Sequence, residues 1–274
     1  LVEEKRRGRM NKPYYSHKGI TIYHGDCLEI MPELEPVDLV LTSPPYDNLR
    51  DYGKDFKGWG CHIWKPCLDN IKRVLKDGGV CVWVVGDANV NGSETGTSFR
   101  QALYAKDIGL NLHDTMIYAK TGFNNPSSNR YHQVFEYMFI FSKGKPKSFN
   151  PIKDRENVYK KRGGRSVRQK DGTTKKGFGG QLLDALGQRF NIWLIPFSGK
   201  SGESHPATFP LKLATDHIIS WSNEPQTILD PFMGSGTTLV AAKELGRKCI
   251  GIEIEEKYCE IAAERLSQEV FSFD

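Results

Sequence analysis

Residues 230 to 238 read Asp230-Pro231-Phe232-Met233-Gly234-Ser235-Gly236-Thr237-Thr238, and this stretch decides the fold. It follows a short apolar run at 227–229 and precedes helical spacing over 237–245, so it reads as strand, glycine turn and helix. Glycine at 234 and 236 lets the backbone approach a ligand closely, and the first turn of the helix offers unpaired N–H groups to it. A second apolar run, 248–252, ends at Glu253, 23 residues after Asp230. An acid at the end of the next strand is placed to accept hydrogen bonds from two ribose hydroxyls. The spacing is not Gly-x-Gly-x-x-Gly, which argues against a dinucleotide and for a smaller nucleoside-type ligand.

Working outward, an earlier apolar run at 37–41 ends in Thr42-Ser43-Pro44-Pro45-Tyr46. Two consecutive prolines cannot continue a central strand, so the segment reads as a stiff loop at a strand's C-terminal end. Ligands of open α/β sheets bind there. The Ser43 hydroxyl and the Pro44 carbonyl are two acceptors held by a rigid backbone, and Tyr46 offers a ring face. Such a set suits an exocyclic amino group on a flipped base. That nitrogen is a poor nucleophile until acceptors draw on its hydrogens and an electrophile is held in line with it. Stacking on Tyr46 would contribute roughly 1–3 kcal/mol per base, against a flipping cost of about a few kcal/mol.

The rest of the chain alternates strand and helix signals. Strands are expected at 20–25, 80–85, 114–119, 137–141 and 191–196, and helices at 64–75, 99–108, 211–221 and 257–266. The runs at 114–119 and 137–141 read as a closing antiparallel pair. The expected class is therefore α/β with helices on both faces of a mostly parallel sheet. The segments 47–60 and 122–133 read as loops, in which Trp59 and Tyr52 are either caps for a flipped base or aromatics packed on their own domain. Composition shifts at residue 143. From there to residue 189 the chain holds 14 Lys/Arg against 4 Asp/Glu, leaving −5 for the rest of a +5 protein. A basic insert on a mildly acidic body points to a polyanionic partner. The expected division is 10–142, a basic insert at 143–195, and 196–274.

No apolar run approaches the roughly 20 residues that span a bilayer. The first nine residues are charged, do not read as a secretory signal and are set aside from the fold. The six cysteines form no Cys-x-x-Cys pair and no zinc spacing, so the reading is a reducing, cytoplasmic setting with no metal. The histidines at 17, 24, 62, 113, 132 and 217 have no partner pattern and read as structural or surface.

Taken together, these segments resemble the S-adenosylmethionine-dependent amino DNA methyltransferases. The likeness is to the beta group, in which the catalytic loop precedes the cofactor loop, and it spans most of residues 21–266. It implies a Rossmann-like class I methyltransferase fold: a circularly permuted, seven-stranded sheet. Ser43, Pro44, Pro45 and Tyr46 would be catalytic. The cofactor would be held by Asp26 and Cys27 against its adenine, Thr42, Asp230, Phe232, Gly234, Ser235, Gly236, Thr237, Thr238 and Glu253. His205 and Thr208 of the His-Pro-Ala-Thr-Phe-Pro segment would lie near its methionine part. The basic insert falls where relatives often carry their target-recognition region, with Lys160, Lys161, Arg162, Arg165 and Arg168, and also Arg130, as phosphate contacts. Double-stranded DNA is the expected partner, and a cognate restriction endonuclease and a monomer or homodimer are compatible with the pattern. Relatives with Ser at position 43 mostly make N4-methylcytosine, those with Asp or Asn mostly N6-methyladenine, which favours cytosine here and keeps adenine as the alternative. An RNA or protein-amide methyltransferase and a non-catalytic DNA-binding module are the rival readings.

Overall fold

In the computed structural model of the chain, residues 12–46, 59–122, 128–159, 166–176, 182–196 and 210–268 are described. The strands are β1 (Tyr15–His17), β2 (Ile20–His24), β3 (Val37–Thr42), β4 (Leu75–Val85), β5 (Asn89–Val90), β6 (Ser93–Glu94), β7 (Asn111–Ala119), β8 (Phe135–Ser142), β9 (Lys153–Glu156), β10 (Ser166–Arg168), β11 (Thr174–Lys176), β12 (Leu186–Gln188), β13 (Ile192–Leu194), β14 (Thr227–Asp230) and β15 (Lys248–Glu253). The helices are α1 (Cys27–Ile30), α2 (Cys61–Val74), α3 (Thr97–Asp107), α4 (Leu211–Trp221), α5 (Thr237–Glu244) and α6 (Glu256–Ser267).

The main sheet runs β1-β2-β15-β14-β3-β4-β8-β7-β13. The five strands from β2 to β4 are mutually parallel, and β8 lies antiparallel between β4 and β7. The two strands that flank the glycine turn, β14 and β15, come last in the chain yet sit between β2 and β3. Among the described residues the sheet has nine strands rather than the expected seven. Both edge strands are three residues long: β13 lies within the run expected at 191–196, whereas β1 is too short to carry a periodic signal. One of them, β1, is folded back on β2 by Lys18 and Gly19, both at positive φ, the conformation of a tight hairpin turn.

Parallel strands covered on both faces read as unbroken apolar runs, and β4 shows how the run is divided. Val80, Val82 and Val84 enter one core with Leu39, Leu41, Ile228 and the inner faces of α4, α5 and α6. Cys81, Trp83 and Val85 enter the other, with Val40, Leu229 and residues of α2 and α3 such as Trp64, Leu68, Ile71 and Ala105. Successive side chains thus serve opposite layers, and the two cores give the α/β sandwich expected from the sequence. All six cysteines are unpaired and five are buried. Among the described residues no helix is long and apolar enough to cross a membrane.

The chain divides into two compact units, one formed by 1–150 with 192–274 and the other by 151–191. Within the second, β9 pairs with β12 and β10 with β11, both antiparallel. Its segment holds 11 Lys/Arg against 4 Asp/Glu.

Candidate active site

The C-terminal ends of β2, β15, β14 and β3 meet at one edge of the sheet, and hydrogen bonds lock them together. Thr42, the last residue of β3, donates its hydroxyl to Asp230 Oδ1 at 2.7 Å, joining positions 188 residues apart. Asp230 also accepts from Phe232 N at 3.1 Å and, through Oδ2, from the Thr238 hydroxyl at 2.6 Å. Both carboxylate oxygens are therefore turned to the protein. Asp230 ties the Ser43-Pro44-Pro45-Tyr46 loop to the glycine turn and to the first turn of α5. Burial pushes its carboxyl up to about 6, against the opposing pull of its bonds from Thr238, Thr42 and Phe232.

Glu253 closes β15. Its Oε2 accepts from Gly234 N at 3.0 Å and its Oε1 from Glu255 N at 2.9 Å. Each oxygen keeps a further lone pair, and burial pushes the carboxyl up to about 7 despite those backbone donors. Gly25 N bonds Glu253 O at 2.8 Å, which brings the β2 end beside it. There Asp26 caps α1 by accepting from Leu28 N at 2.8 Å. Gly236 is the left-handed N-cap of α5 at φ 80°, and a Cβ there would lie 2.9 Å from the Cβ of Ala262. Ser235 is held from α6, where Arg265 donates to its carbonyl and hydroxyl. Thr237 is buried in the first turn of α5. Phe232 stands edge-on to Trp59 at 5.6 Å and to Trp83 at 6.5 Å.

In the proline loop, Pro44 and Pro45 are buried, while Ser43 and Tyr46 are half-buried. The Ser43 hydroxyl lies 2.8 Å from the Tyr46 hydroxyl. Tyr46 donates in turn to Glu136 Oε2 at 3.1 Å, and Lys120 donates to Glu136 Oε1 at 2.5 Å. Glu136, Lys120, Arg265 and Asp87 are polar residues of this region that the sequence did not single out. Asp87, just past β4, accepts from Ser98 N at 2.9 Å and from the Ser98 and Thr95 hydroxyls, fixing the start of α3.

Other expected residues fall elsewhere. The Cys27 side chain is buried in the second core at the start of α1, in the same cluster as Cys67, whose thiol is pushed well up, first of all by burial. Trp59 is packed on its own domain with 5% of its surface exposed, which decides between its two readings against a base cap. Arg130 is exposed and donates to Gly92 O at 2.7 Å, beside the β5–β6 hairpin. Arg168 is exposed on β10, paired with Thr174 of β11. His205, Thr208, Lys160, Lys161, Arg162, Arg165 and Tyr52 lie outside the described residues.

The assembled arrangement is a buried carboxylate pair around a glycine turn, with a stiff acceptor loop latched beside it. It can hold a ribose-bearing ligand next to a group presented to Ser43. A family model described as DNA methylase matches residues 37–264. The orphan methyltransferase M.BamHII of Bacillus amyloliquefaciens is 51% identical over 88% of this chain and 90% of its own. The type II methyltransferase M.SmaI of Serratia marcescens is 30% identical over 88% and 89%. In fold, the chain is similar to the cytosine-N4-specific PvuII DNA methyltransferase, with a TM-score of 0.70 at 23% identity over 96% of this chain and 91% of that one. It is also similar to the M1.HpyAVI–SAM complex, with a TM-score of 0.61 at 23% identity over 90% and 99%.

Proposed function

The chain belongs to the DNA methylase family whose model spans residues 37–264, and from that premise we propose that it transfers a methyl group from S-adenosylmethionine to the exocyclic N4 of cytosine in duplex DNA. One observation carries the reading: the Thr42–Asp230 hydrogen bond at 2.7 Å, which latches the acceptor loop to the glycine turn. Methyl donor and target base then share one mouth of the sheet.

The residues fit the cofactor. Glu253 is a buried carboxylate with lone pairs left for two ribose hydroxyls, and the left-handed turn at Gly236 sets the start of α5, whose N–H groups face the turn. Bound there, the cofactor supplies an electrophilic methyl on a sulfonium. The protein does the rest by position. Tyr46 offers its ring to the flipped base, and Ser43 Oγ and the Pro44 carbonyl accept from the amino group. Both acceptors draw the nitrogen toward tetrahedral geometry, so that its lone pair faces the methyl group. Serine is too weak a base to take the proton early, so the proton leaves late, to solvent. Mutagenesis of comparable donors and acceptors assigns such positioning roughly 10²–10³-fold in rate.

Ser43 favours cytosine over adenine, as in relatives that carry serine at this position, and the same architecture hosts cytosine-N4 chemistry in the PvuII enzyme named above. The basic unit 151–191 is the part we assign to the DNA backbone, with Arg168 as a phosphate contact. The relative at 51% identity is named an orphan methyltransferase, which favours action without a cognate endonuclease. The setting we assign is the cytoplasm, on DNA.

Transfer of radiolabel from methyl-labelled S-adenosylmethionine tests the reading. Incorporation into unmethylated duplex DNA, removed by DNase and not by RNase or protease, is the expected result. Label in RNA or protein alone would refute it.

A further inference from the structure

Glu136 stands at the head of β8, a strand whose other members are Phe135, Tyr137, Met138, Phe139, Ile140, Phe141 and Ser142. A carboxylate in a strand whose other members through Phe141 are aromatic or apolar, with 14% of its side-chain surface exposed, costs desolvation unless it is paired. Lys120, just beyond β7, pairs with Oε1 at 2.5 Å, and Lys120 N is fixed by Val134 O at 2.7 Å. Oε2 accepts the Tyr46 hydroxyl at 3.1 Å.

Counting protons along this chain gives it a direction. A phenol has one hydroxyl proton, and a carboxylate only accepts, so the Tyr46 proton is committed to Glu136. The contact of 2.8 Å between Ser43 and Tyr46 then has one assignment left: Ser43 donates and the Tyr46 oxygen accepts. The serine proton is then spent on the Tyr46 oxygen, which leaves Ser43 Oγ only lone pairs to offer a ligand. A free serine hydroxyl would rotate to suit any partner, donor or acceptor. Held this way, it accepts from an amino group and meets a carbonyl oxygen lone pair to lone pair.

We propose that Glu136, held by Lys120, is a positioning residue that acts through Tyr46 to make Ser43 an acceptor only, so that the site admits a base bearing an amino group and disfavours one bearing a keto group. The inference rests on the amino-methylation reading above and adds to it a source of base discrimination.

A double-mutant cycle under single-turnover conditions tests it, using the intact protein, saturating S-adenosylmethionine and unmethylated duplex DNA. Cofactor affinity is measured in parallel by calorimetry. Glu136→Ala is expected to slow methyl transfer by about 10–100-fold, the range for losing a hydrogen bond to a charged group, with cofactor affinity within about twofold of wild type. Because Glu136 acts through Ser43, adding Glu136→Ala to Ser43→Ala should change the rate by no more than about twofold. A structural role elsewhere would give multiplying effects. Tyr46→Phe removes only the linking hydroxyl and enters the same cycle, so the test stands even if Glu136→Ala does not fold. Wild-type rates in both variants, or slowing that multiplies with Ser43→Ala, would overturn the proposal. The wild-type protein in the same assay reports separately on methylation: a failure there sinks the proposed function, whereas a failure confined to the mutants sinks only the positioning role.

Discussion

On the proposed assignment of Glu253 to the cofactor's ribose, cofactor affinity should depend on pH, and the dependence can be sized. In the free protein its carboxyl is pushed up to about 7 by burial. Ribose hydroxyls donate, so the site that binds them is the ionised carboxylate. Below pH 7 the free protein holds a proton that binding must expel, and the apparent Kd rises by a factor of 1 + 10^(7 − pH). From pH 8 to pH 6 the affinity should fall about tenfold, or about 1.4 kcal/mol. Cys259, pushed up to about 12, foremost by burial and next by Glu253 itself, stays protonated throughout this window and does not contribute. Titration calorimetry with S-adenosylmethionine in buffers of different ionisation enthalpy reads both quantities. Close to one proton per cofactor should be released at pH 6 and almost none at pH 8. Glu253→Gln should bind roughly 10–100-fold more weakly at pH 8 and show a flat profile between pH 6 and 8. A flat wild-type profile, tighter binding toward acid, or the same slope in Glu253→Gln would refute the reasoning.

Three further expectations follow from the same geometry. Asp230 has its folded carboxyl raised to about 6 from 3.8, so the folded state binds more protons and stability falls as pH rises through that window. Measured by denaturant against Asp230→Asn, wild type should lose about 1.4 kcal/mol between pH 5 and pH 7, and an increase would contradict the assignment. Gly236→Ala forces a left-handed residue and a 2.9 Å approach to Ala262; it should cost roughly 1–3 kcal/mol of stability and weaken cofactor binding, and a variant with wild-type Tm and affinity would remove the need for glycine there. Ser43→Ala should slow methyl transfer by roughly 10²–10³-fold with unchanged cofactor affinity, whereas wild-type turnover would eliminate its acceptor role.

The elements around the glycine turn were legible because buried parallel strands and amphipathic helices leave strong local signals. The helix expected at 211–221 is α4, Leu211–Trp221, and β14 and β15 each run one residue past the expected end. The start of α2 at Cys61 lies three residues ahead of its periodic signal at Trp64. A short exposed strand such as β10 has no buried face to leave a pattern, and β1 depends on a turn whose first residue, Lys18, is of a type rarely left-handed. In the site, Ser43, Asp230 and Glu253 stand at strand ends, where position alone marks them. The partner of Thr42 is 188 residues away and that of Tyr46 is 90 residues away; such pairings are products of the sheet order, not of spacing. For Glu136 the only cue was a lone acid heading an apolar run. Cys27 shows the converse: its place near the β2 end was legible, but the burial of its side chain in the second core was set by packing.

Mass spectrometry of nucleosides from unmethylated duplex DNA, after incubation with the protein and S-adenosylmethionine, tests the central claim most directly. The account predicts N4-methylcytosine as the new nucleoside, absent from the Ser43→Ala reaction over the same time. N6-methyladenine in its place would contradict the assignment of the target base from Ser43, and no modified nucleoside despite measured cofactor binding would contradict methyl transfer to DNA altogether.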